Sequence, residues 1–315
     1  MAQGGGLPGL DWIAADWGTS ALRLWAVGAD GSVLARAASG AGMGGLDPDG
    51  YEPALVEIVG GWLPEARTVP VIVCGMAGAR QGWREAAYRP VPCAPVAGGD
   101  LTPVATADRR LAVALVPGLS QTDPPDVMRG EETQLAGLAE RLGPAAAIAC
   151  LPGTHAKWAR LEGGRVTRFA TFMTGEAFAL LAERSVLRHS VASAGDDREA
   201  FLAAAVEMLD RPQRLTAALF GIRATDLLGG AGAVAARSRL SGLLIGAELA
   251  ATQDWWTGRT VHLVGAPSLA TAYAEALAAA GARTAVEDAE TLTLAGLAIA
   301  RAGTPPGVGR DGSTV

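Results

Sequence analysis

Two copies of one local pattern constrain this chain more than any other feature. Residues 12–16 are a short apolar run that ends in Asp16-Trp17-Gly18-Thr19-Ser20. A strand-like segment follows at 21–27, then an Asp30-Gly31 hairpin turn, then another strand at 33–38. Residues 145–151 form a second apolar run, ending in Pro152-Gly153-Thr154. It too leads into a strand at 155–161, a Gly163-Gly164 turn and a strand at 166–172. Hairpins are common, but Gly-Thr falls at the same place in both. That match favours duplication of one strand–loop–strand–turn–strand unit.

Helical patterns with interleaved strands follow each unit. The first half predicts a helix at 54–63, a buried strand at 69–74, a strand at 111–116 and a helix at 131–142. The last carries Leu135, Leu138 and Leu142 on one face. The second half predicts helices at 175–187, 197–209, 215–220 and 240–252. Gly242 and Gly246 share a face of the last, as in helices that approach closely. A strand at 261–264, a helix at 269–280, a strand at 284–286 and a helix at 290–301 complete the chain. This alternation predicts an α/β protein with two sheets, in domains spanning 11–142 and 143–302. Gly/Pro-rich tails at 1–10 and 303–315 are expected to be flexible.

Composition narrows the function. Half the residues are hydrophobic and the net charge is -6 without a basic patch, which argues against nucleic acid or an anionic membrane as partner. No basic, apolar leader and no apolar run of spanning length occurs, so a cytoplasmic protein is expected. Cys74, Cys93 and Cys150 lack metal spacing and read as buried or structural thiols. His155, His189 and His262 are scattered. There is no Gly-Lys-Ser/Thr and no nucleophile elbow. The glycine runs at 40–45 and 229–232 lack the strand–loop–helix setting of a dinucleotide loop.

Lys157 is the only lysine, against 25 arginines. An ammonium is a compact point charge where a guanidinium is a wide fork, and a tight Gly153-Thr154 loop beside a phosphate is a place where the difference matters. In the first loop, Asp16 suits a Mg²⁺ contact, while Gly18 and Thr19 suit a phosphate; an Asp that merely caps the hairpin is the competing reading. Two such loops can hold the β- and γ-phosphates of a nucleotide. Glu131 and Glu132 open the helix before the second loop. Acids there complement the helix dipole, and either can also accept a hydroxyl proton during phosphoryl transfer. Gly265 and Ser268, between a strand and a helix, suit an adenosine contact or an ordinary turn.

These pieces resemble the phosphate 1, connect 1, phosphate 2, connect 2 and adenosine motifs of the actin/hexokinase/Hsp70 ATPase superfamily. Segments beginning at Asp16, Gly75, Val127, Pro152, Phe172 and Leu240 resemble, in order, those of the 2-dehydro-3-deoxygalactonokinase family over about residues 11–302. The resemblance implies two duplicated actin-like (ribonuclease H-like) ATPase domains with an interdomain cleft. It implies ATP, Mg²⁺ and a sugar acid as partners, with transfer to the 6-hydroxyl of 2-dehydro-3-deoxygalactonate in galactonate breakdown. The wider superfamily places the base on the helix that Glu131 and Glu132 open, or on an Asp elsewhere, which keeps Asp100, Asp123 and Asp126 open. Arginine is expected to read the substrate carboxylate. Arg23 and Arg129 are candidates, as are Arg80 and Arg84 with Trp83 as an apolar wall. Alternatives are a kinase of the same fold for another sugar or acid, or a non-enzymatic regulator or filament former. The sequence leaves monomer or homodimer open.

Overall fold

In the computed structural model, which describes residues 5–230 and 232–303, the first Gly-Thr unit becomes β1 (Leu10–Trp17), β2 (Leu22–Gly28) and β3 (Val33–Ser39). β1 pairs antiparallel with β2, and β2 with β3. Helix α1 (Tyr51–Val59) stops at Gly60-Gly61 and leads to β4 (Val69–Gly75), parallel to β1. Five short strands precede the next helix: β5 (Tyr88–Pro90), β6 (Thr102–Val104), β7 (Leu111–Leu115), β8 (Gly118–Thr122) and β9 (Pro125–Met128). Helix α2 (Glu131–Leu142) has the predicted bounds. One sheet runs β3-β2-β1-β4-β7-β6, and β5-β8-β9 form a small separate one.

The second Gly-Thr unit becomes β10 (Ala147–Leu151), β11 (Ala156–Glu162) and β12 (Arg165–Phe172). Helices α3 (Thr174–Arg184), α4 (Arg198–Asp210), α5 (Leu215–Leu227), α6 (Ala233–Ala251) and α7 (Gln253–Trp256) follow. Then come β13 (Thr260–Val264), α8 (Pro267–Ala279), β14 (Arg283–Glu287) and α9 (Ala289–Ala302). The sheet order β12-β11-β10-β13-β14 repeats β3-β2-β1-β4-β7. The antiparallel step at β10/β11 and the parallel steps at β10/β13 and β13/β14 repeat as well. This is the duplicated sheet of the actin-like, ribonuclease H-like ATPase fold.

The chain divides into two units, described separately here. Of the described residues, the first holds 5–144, 164–166 and 290–303; the second holds 145–163 and 167–289 apart from 231. Alternation along β1 sets the first core. Ile13, Ala15 and Trp17 pack with Tyr51, Leu55 and Val59 of α1 on one face. Trp12 and Ala14 pack with Ala136 of α2 and with Leu297 and Ala300 of α9 on the other. The expected boundary at 143 assigns α9 to the second half; its contacts assign it to the first. Its fit there is close: a Cβ on Gly296 would overlap the Thr133 carbonyl. Trp25 Nε1 also donates to Glu290 Oε1 at 3.0 Å, and Gln134 Nε2 to Thr293 Oγ1 at 3.3 Å. The expectation of a loose 1–10 tail changes too, because Leu7 N bonds Trp62 O at 2.8 Å and Leu10 already belongs to β1. Residues 1–4 and 304–315 of the expected tails lie outside the described residues.

In the second unit, α6 starts well before the expected 240, since the Ala- and Arg-rich segment from Ala233 favours helix. Ile148, Cys150 and Trp158 of the sheet pack against Ala205 of α4, Ile245 and Leu249 of α6, and Tyr273 of α8. Among the described residues no helix is long and apolar enough to cross a membrane. The close α4–α6 approach rests on the two predicted glycines. A Cβ on Gly242 would overlap Phe201 O, and one on Gly246 would overlap Ala205 O. Because these obstacles are backbone atoms, Gly246→Ala is expected to destabilise the fold by about 1–3 kcal/mol. A urea unfolding curve checks this; an unchanged midpoint contradicts it.

Candidate active site

In the first unit the ends of β1 and β4 meet at a turn that requires glycine. Gly75 has φ +88°, and a Cβ there would lie 2.6 Å from Trp17 O and 3.4 Å from Asp16 Oδ1. Gly130, with φ +107°, precedes α2, and its Cβ would lie 3.3 Å from Gly75 Cα. Two strand ends and a helix start thus converge at backbone contact. Asp16 continues the Trp12–Ala14 row, so its carboxylate lies on the face that α2 covers. Arg23, directly across on β2, forms an ion pair with Asp16 through Nη2.

The two acids that open α2 differ. Glu131 is half-buried, and its Oε2 accepts from Arg129 N at 3.1 Å. Glu132 is wholly buried; its Oε2 accepts from Gly130 N at 2.6 Å and its Oε1 from Thr133 Oγ1 at 3.1 Å. Burial, then the neighbouring Glu131 charge, push the Glu132 carboxyl up to about 8. Burial first, and then the charges of Asp16 and Glu132, push the Cys74 thiol well above its ordinary value. Cys74 is therefore an inert core thiol.

Arg129 is only 8% exposed. Its Nη2 donates to Ala86 O at 2.7 Å and its guanidinium lies 4.3 Å over the Tyr88 ring. Its Nε and Nη1 are buried without a hydrogen-bond partner, and Nη1 lies 2.8 Å from where a Gly78 Cβ would be. Arg80 and Arg84 are exposed by contrast. Arg80 pairs with Glu85 at 3.3 Å, and Arg84 Nη1 donates to Pro103 O at 2.7 Å. Trp83 stacks on Tyr51 with centroids 5.8 Å apart and meets Trp17 edge-on at 5.8 Å. In the first Gly-Thr loop, Gly18 N closes the turn onto Ala21 O at 2.8 Å, and Thr19 is exposed. The glycine run at 40–45 packs on this loop, with Met43 N on Gly18 O and Gly44 N on Thr19 O. Asp100 pairs with Arg89 at 2.8 Å; Asp123 and Asp126 lie in the β8–β9 hairpin.

In the second unit Leu151 and Lys157 face each other across β10 and β11, the register that Asp16 and Arg23 hold across β1 and β2. Lys157 is 4% exposed and its Nζ donates to His155 O at 3.1 Å. A Cβ on Gly175, at the start of α3, would overlap Gly153 O, and Glu176 N donates to Thr154 O at 2.9 Å. His155 Nε2 and Glu176 Oε2 are 2.5 Å apart. A Cβ on Gly265 would lie 3.0 Å from Pro152 O. Beside this loop is a cavity of about 330 Å³. Gly153 and Thr154 line one side, Thr174, Gly175 and Phe178 of α3 another, with Ser241, Leu244 and Ile245 of α6 and Leu269 and Tyr273 of α8. Ser268 is exposed beside it, and its neighbour Leu269 supplies the lining.

Sequence reasoning left out Glu248, Thr174 and Tyr273. Buried Glu248 accepts from Trp158 Nε1 at 2.8 Å, from Tyr273 OH at 2.7 Å and from Thr174 Oγ1. One signal was present: a lone carboxylate on an Ala/Leu-rich helix face that must be buried.

A chain folded in this way has the actin-like ATPase fold, and its similarity to named kinases makes it a phosphotransferase. A family model described as 2-keto-3-deoxy-galactonokinase matches residues 16–300. "Probable 2-dehydro-3-deoxygalactonokinase DgoK1" of Rhizobium meliloti (strain 1021) is 43% identical over 92% of this chain and 96% of its own length. The 2-dehydro-3-deoxygalactonokinase of Escherichia coli (strain K12) is 35% identical over 91% of this chain and 96% of its own. The crystal structure of a protein assigned the same activity, from Sinorhizobium meliloti, superposes with a TM-score of 0.83 at 43% identity, over 94% of this chain and 97% of that one. The chain belongs to the 2-dehydro-3-deoxygalactonokinase family.

Glu132 yields a pH prediction. Its unfolded carboxyl titrates near 4.5 and its folded one near 8. Between those values the folded chain holds a proton that the unfolded chain has released. This group's contribution to stability therefore falls as pH rises through that window. In Glu132→Gln the loss of stability between pH 5 and pH 8 is expected to shrink by on the order of a few kcal/mol. Denaturant midpoints at the two pH values test it, and an identical loss in both proteins refutes it.

Proposed function

We propose that the chain transfers the γ-phosphoryl group of ATP to the 6-hydroxyl of 2-dehydro-3-deoxygalactonate. The observation that carries this reading is similarity to kinases named for that substrate over more than nine-tenths of the chain. Loop geometry supports it. Phosphoryl transfer needs little covalent help from protein; it needs the phosphates, the acceptor and the developing charge held in place. In the second unit, the Gly153–Thr154 loop beside a largely apolar cavity suits a nucleotide, with its base among Phe178, Leu244, Ile245 and Leu269. Lys157 supplies positive charge at the foot of that loop.

Mg²⁺, when bound with the nucleotide, neutralises charge on the transferring phosphates. A Mg²⁺ carried on phosphates and water needs only one or two protein carboxylates. Asp16, at the end of β1, is the residue for that contact, and Arg23 holds its carboxylate in position.

Glu131 is the residue proposed to take the hydroxyl proton. Glu132 is buried and already holds a proton at neutral pH, so it is not free to take another. Arg129 is proposed to read the acceptor's carboxylate. A buried guanidinium with two nitrogens, Nε and Nη1, lacking acceptors attracts an anion, and charge-assisted bonds of this kind are strong. Exposed Arg80 and Arg84 already have acceptors and suit the role less.

An ADP-release assay over a panel of 2-keto-3-deoxy sugar acids and neutral hexoses tests the proposal. The galactonate-derived acid is expected to turn over and neutral hexoses are not. Glu131→Gln should lower turnover by roughly 10²–10⁴. Arg129→Lys should raise the KM for the acid by about tenfold or more, leaving the KM for ATP within about twofold. Equal use of neutral hexoses by the wild type defeats the acid-kinase reading.

A further inference from the structure

Glu248 is a buried carboxylate in α6 with three donors aimed at it, and none of the proposed chemistry uses it. Trp158 Nε1 donates to its Oε1 at 2.8 Å, while Tyr273 OH, at 2.7 Å, and Thr174 Oγ1 donate to its Oε2. An indole N–H can only donate, and a charged acceptor inside a protein is tolerated only when its lone pairs are filled. Burial raises the carboxyl's pKa, and the three donors oppose that rise.

The position of the donors gives this arrangement its meaning. Thr174 is the first residue of α3 and Tyr273 lies on α8; both line the cavity beside the Gly153–Thr154 loop. Trp158 follows Lys157 on β11, and alternation turns the two side chains to opposite faces. Glu248 does not line the cavity; it lies behind it. The next residue after Thr174 is Gly175, packed so closely on Gly153 O that a Cβ would overlap it. Glu176 N then bonds Thr154 O at 2.9 Å. Any shift of the α3 start is therefore delivered straight to the loop backbone.

We infer that Glu248 is a positioning residue for nucleotide binding. From behind the cavity it fixes the α3 start against the Gly153–Thr154 loop, the α8 wall and the strand residue next to Lys157. This rests on the reading of that cavity as the nucleotide site. Glu248 touches no reacting atom; it acts through the Thr174 and Tyr273 hydroxyls. The same helix carries Gly242 and Gly246, so α6 is held tightly against α4 and makes a fixed platform for the carboxylate.

The test is equilibrium binding of a non-hydrolysable ATP analogue, adenylyl imidodiphosphate, by titration calorimetry, alongside thermal unfolding. Glu248→Gln keeps the shape but has one acceptor oxygen; given to the indole N–H, it turns the NH₂ to the Tyr273 and Thr174 hydroxyls, which must reverse to accept and lose their present hold. It is expected to fold and to bind the analogue about tenfold more weakly, with the KM for the sugar acid unchanged. Thr174→Val, which leaves the carboxylate in place, is expected to weaken binding as well. The double variant should lose less than the sum of the two, since both break one chain of contacts. Wild-type affinity in Glu248→Gln overturns the inference. If Glu248→Gln fails to fold, wild-type affinity in Thr174→Val overturns it instead. A wild type that binds the analogue but phosphorylates no sugar acid removes the kinase reading and leaves Glu248 standing. A wild type that binds no analogue removes both.

Discussion

Backbone-to-backbone approach at the carboxyl ends of the central strands is the constraint on which this molecule depends. In the first unit, Gly75 lies against Trp17 O and Gly130 lies against Gly75. In the second, Gly175 lies against Gly153 O and Gly265 against Pro152 O. A Cβ on Gly75 or Gly175 would overlap these backbones, and one on Gly130 or Gly265 would crowd them. Open α/β sheets place ligands at this edge of the sheet. Glycine lets loops and helix starts crowd there without side chains intervening, so amides, hydroxyls and a few charges reach what binds. The close packing of α4 on α6 and of α9 on α2 follows the same rule deeper in each unit, through Gly246 and Gly296.

Within that shared frame the two units have diverged in charge. Across the first hairpin Asp16 faces Arg23; across the second Leu151 faces Lys157. An acid–base pair in one copy has become an apolar residue opposite a buried ammonium in the other. The first unit collects carboxylates and a buried guanidinium, which suits metal-borne phosphate and an acidic acceptor. The second presents an apolar cavity backed by the hydrogen-bonded Glu248 carboxylate, which suits a nucleotide base and sugar. The sheet order is one scaffold repeated, with different residues at equivalent register positions. The lone lysine gains a structural context from this: it sits where the other copy keeps an arginine bound to aspartate.

Much of the fold was legible because strand and helix periodicities were strong and the Gly-Thr repeat fixed their order. Helix α2 could be bounded from the Gly130 and Gly143 that flank it. The segment from 76 to 128 was largely illegible. Of its short strands, β5, β6 and β9 carry proline, and these and β8 have too few residues to show alternation, so pairing alone creates them. The allegiance of α9 was also hidden, since chain order says nothing about which sheet a terminal helix covers. At the site, loop glycines and the α2 acids could be named from spacing. Which acid is buried could not, because a one-residue step along a helix turns a side chain by about a quarter turn and only packing reveals the inward direction. Glu248 was missed since its donors come from three distant segments, 158, 174 and 273.

The proposed reaction moves the γ-phosphoryl group of ATP to the primary hydroxyl of a sugar acid. Product identification tests it most directly: incubate the protein with ATP, Mg²⁺ and 2-dehydro-3-deoxygalactonate, then locate the phosphate by phosphorus–carbon coupling in NMR. The expected product is one phosphate ester, at C6, formed in step with ADP. ADP released with inorganic phosphate and no organic ester, or an ester at another carbon, would contradict it.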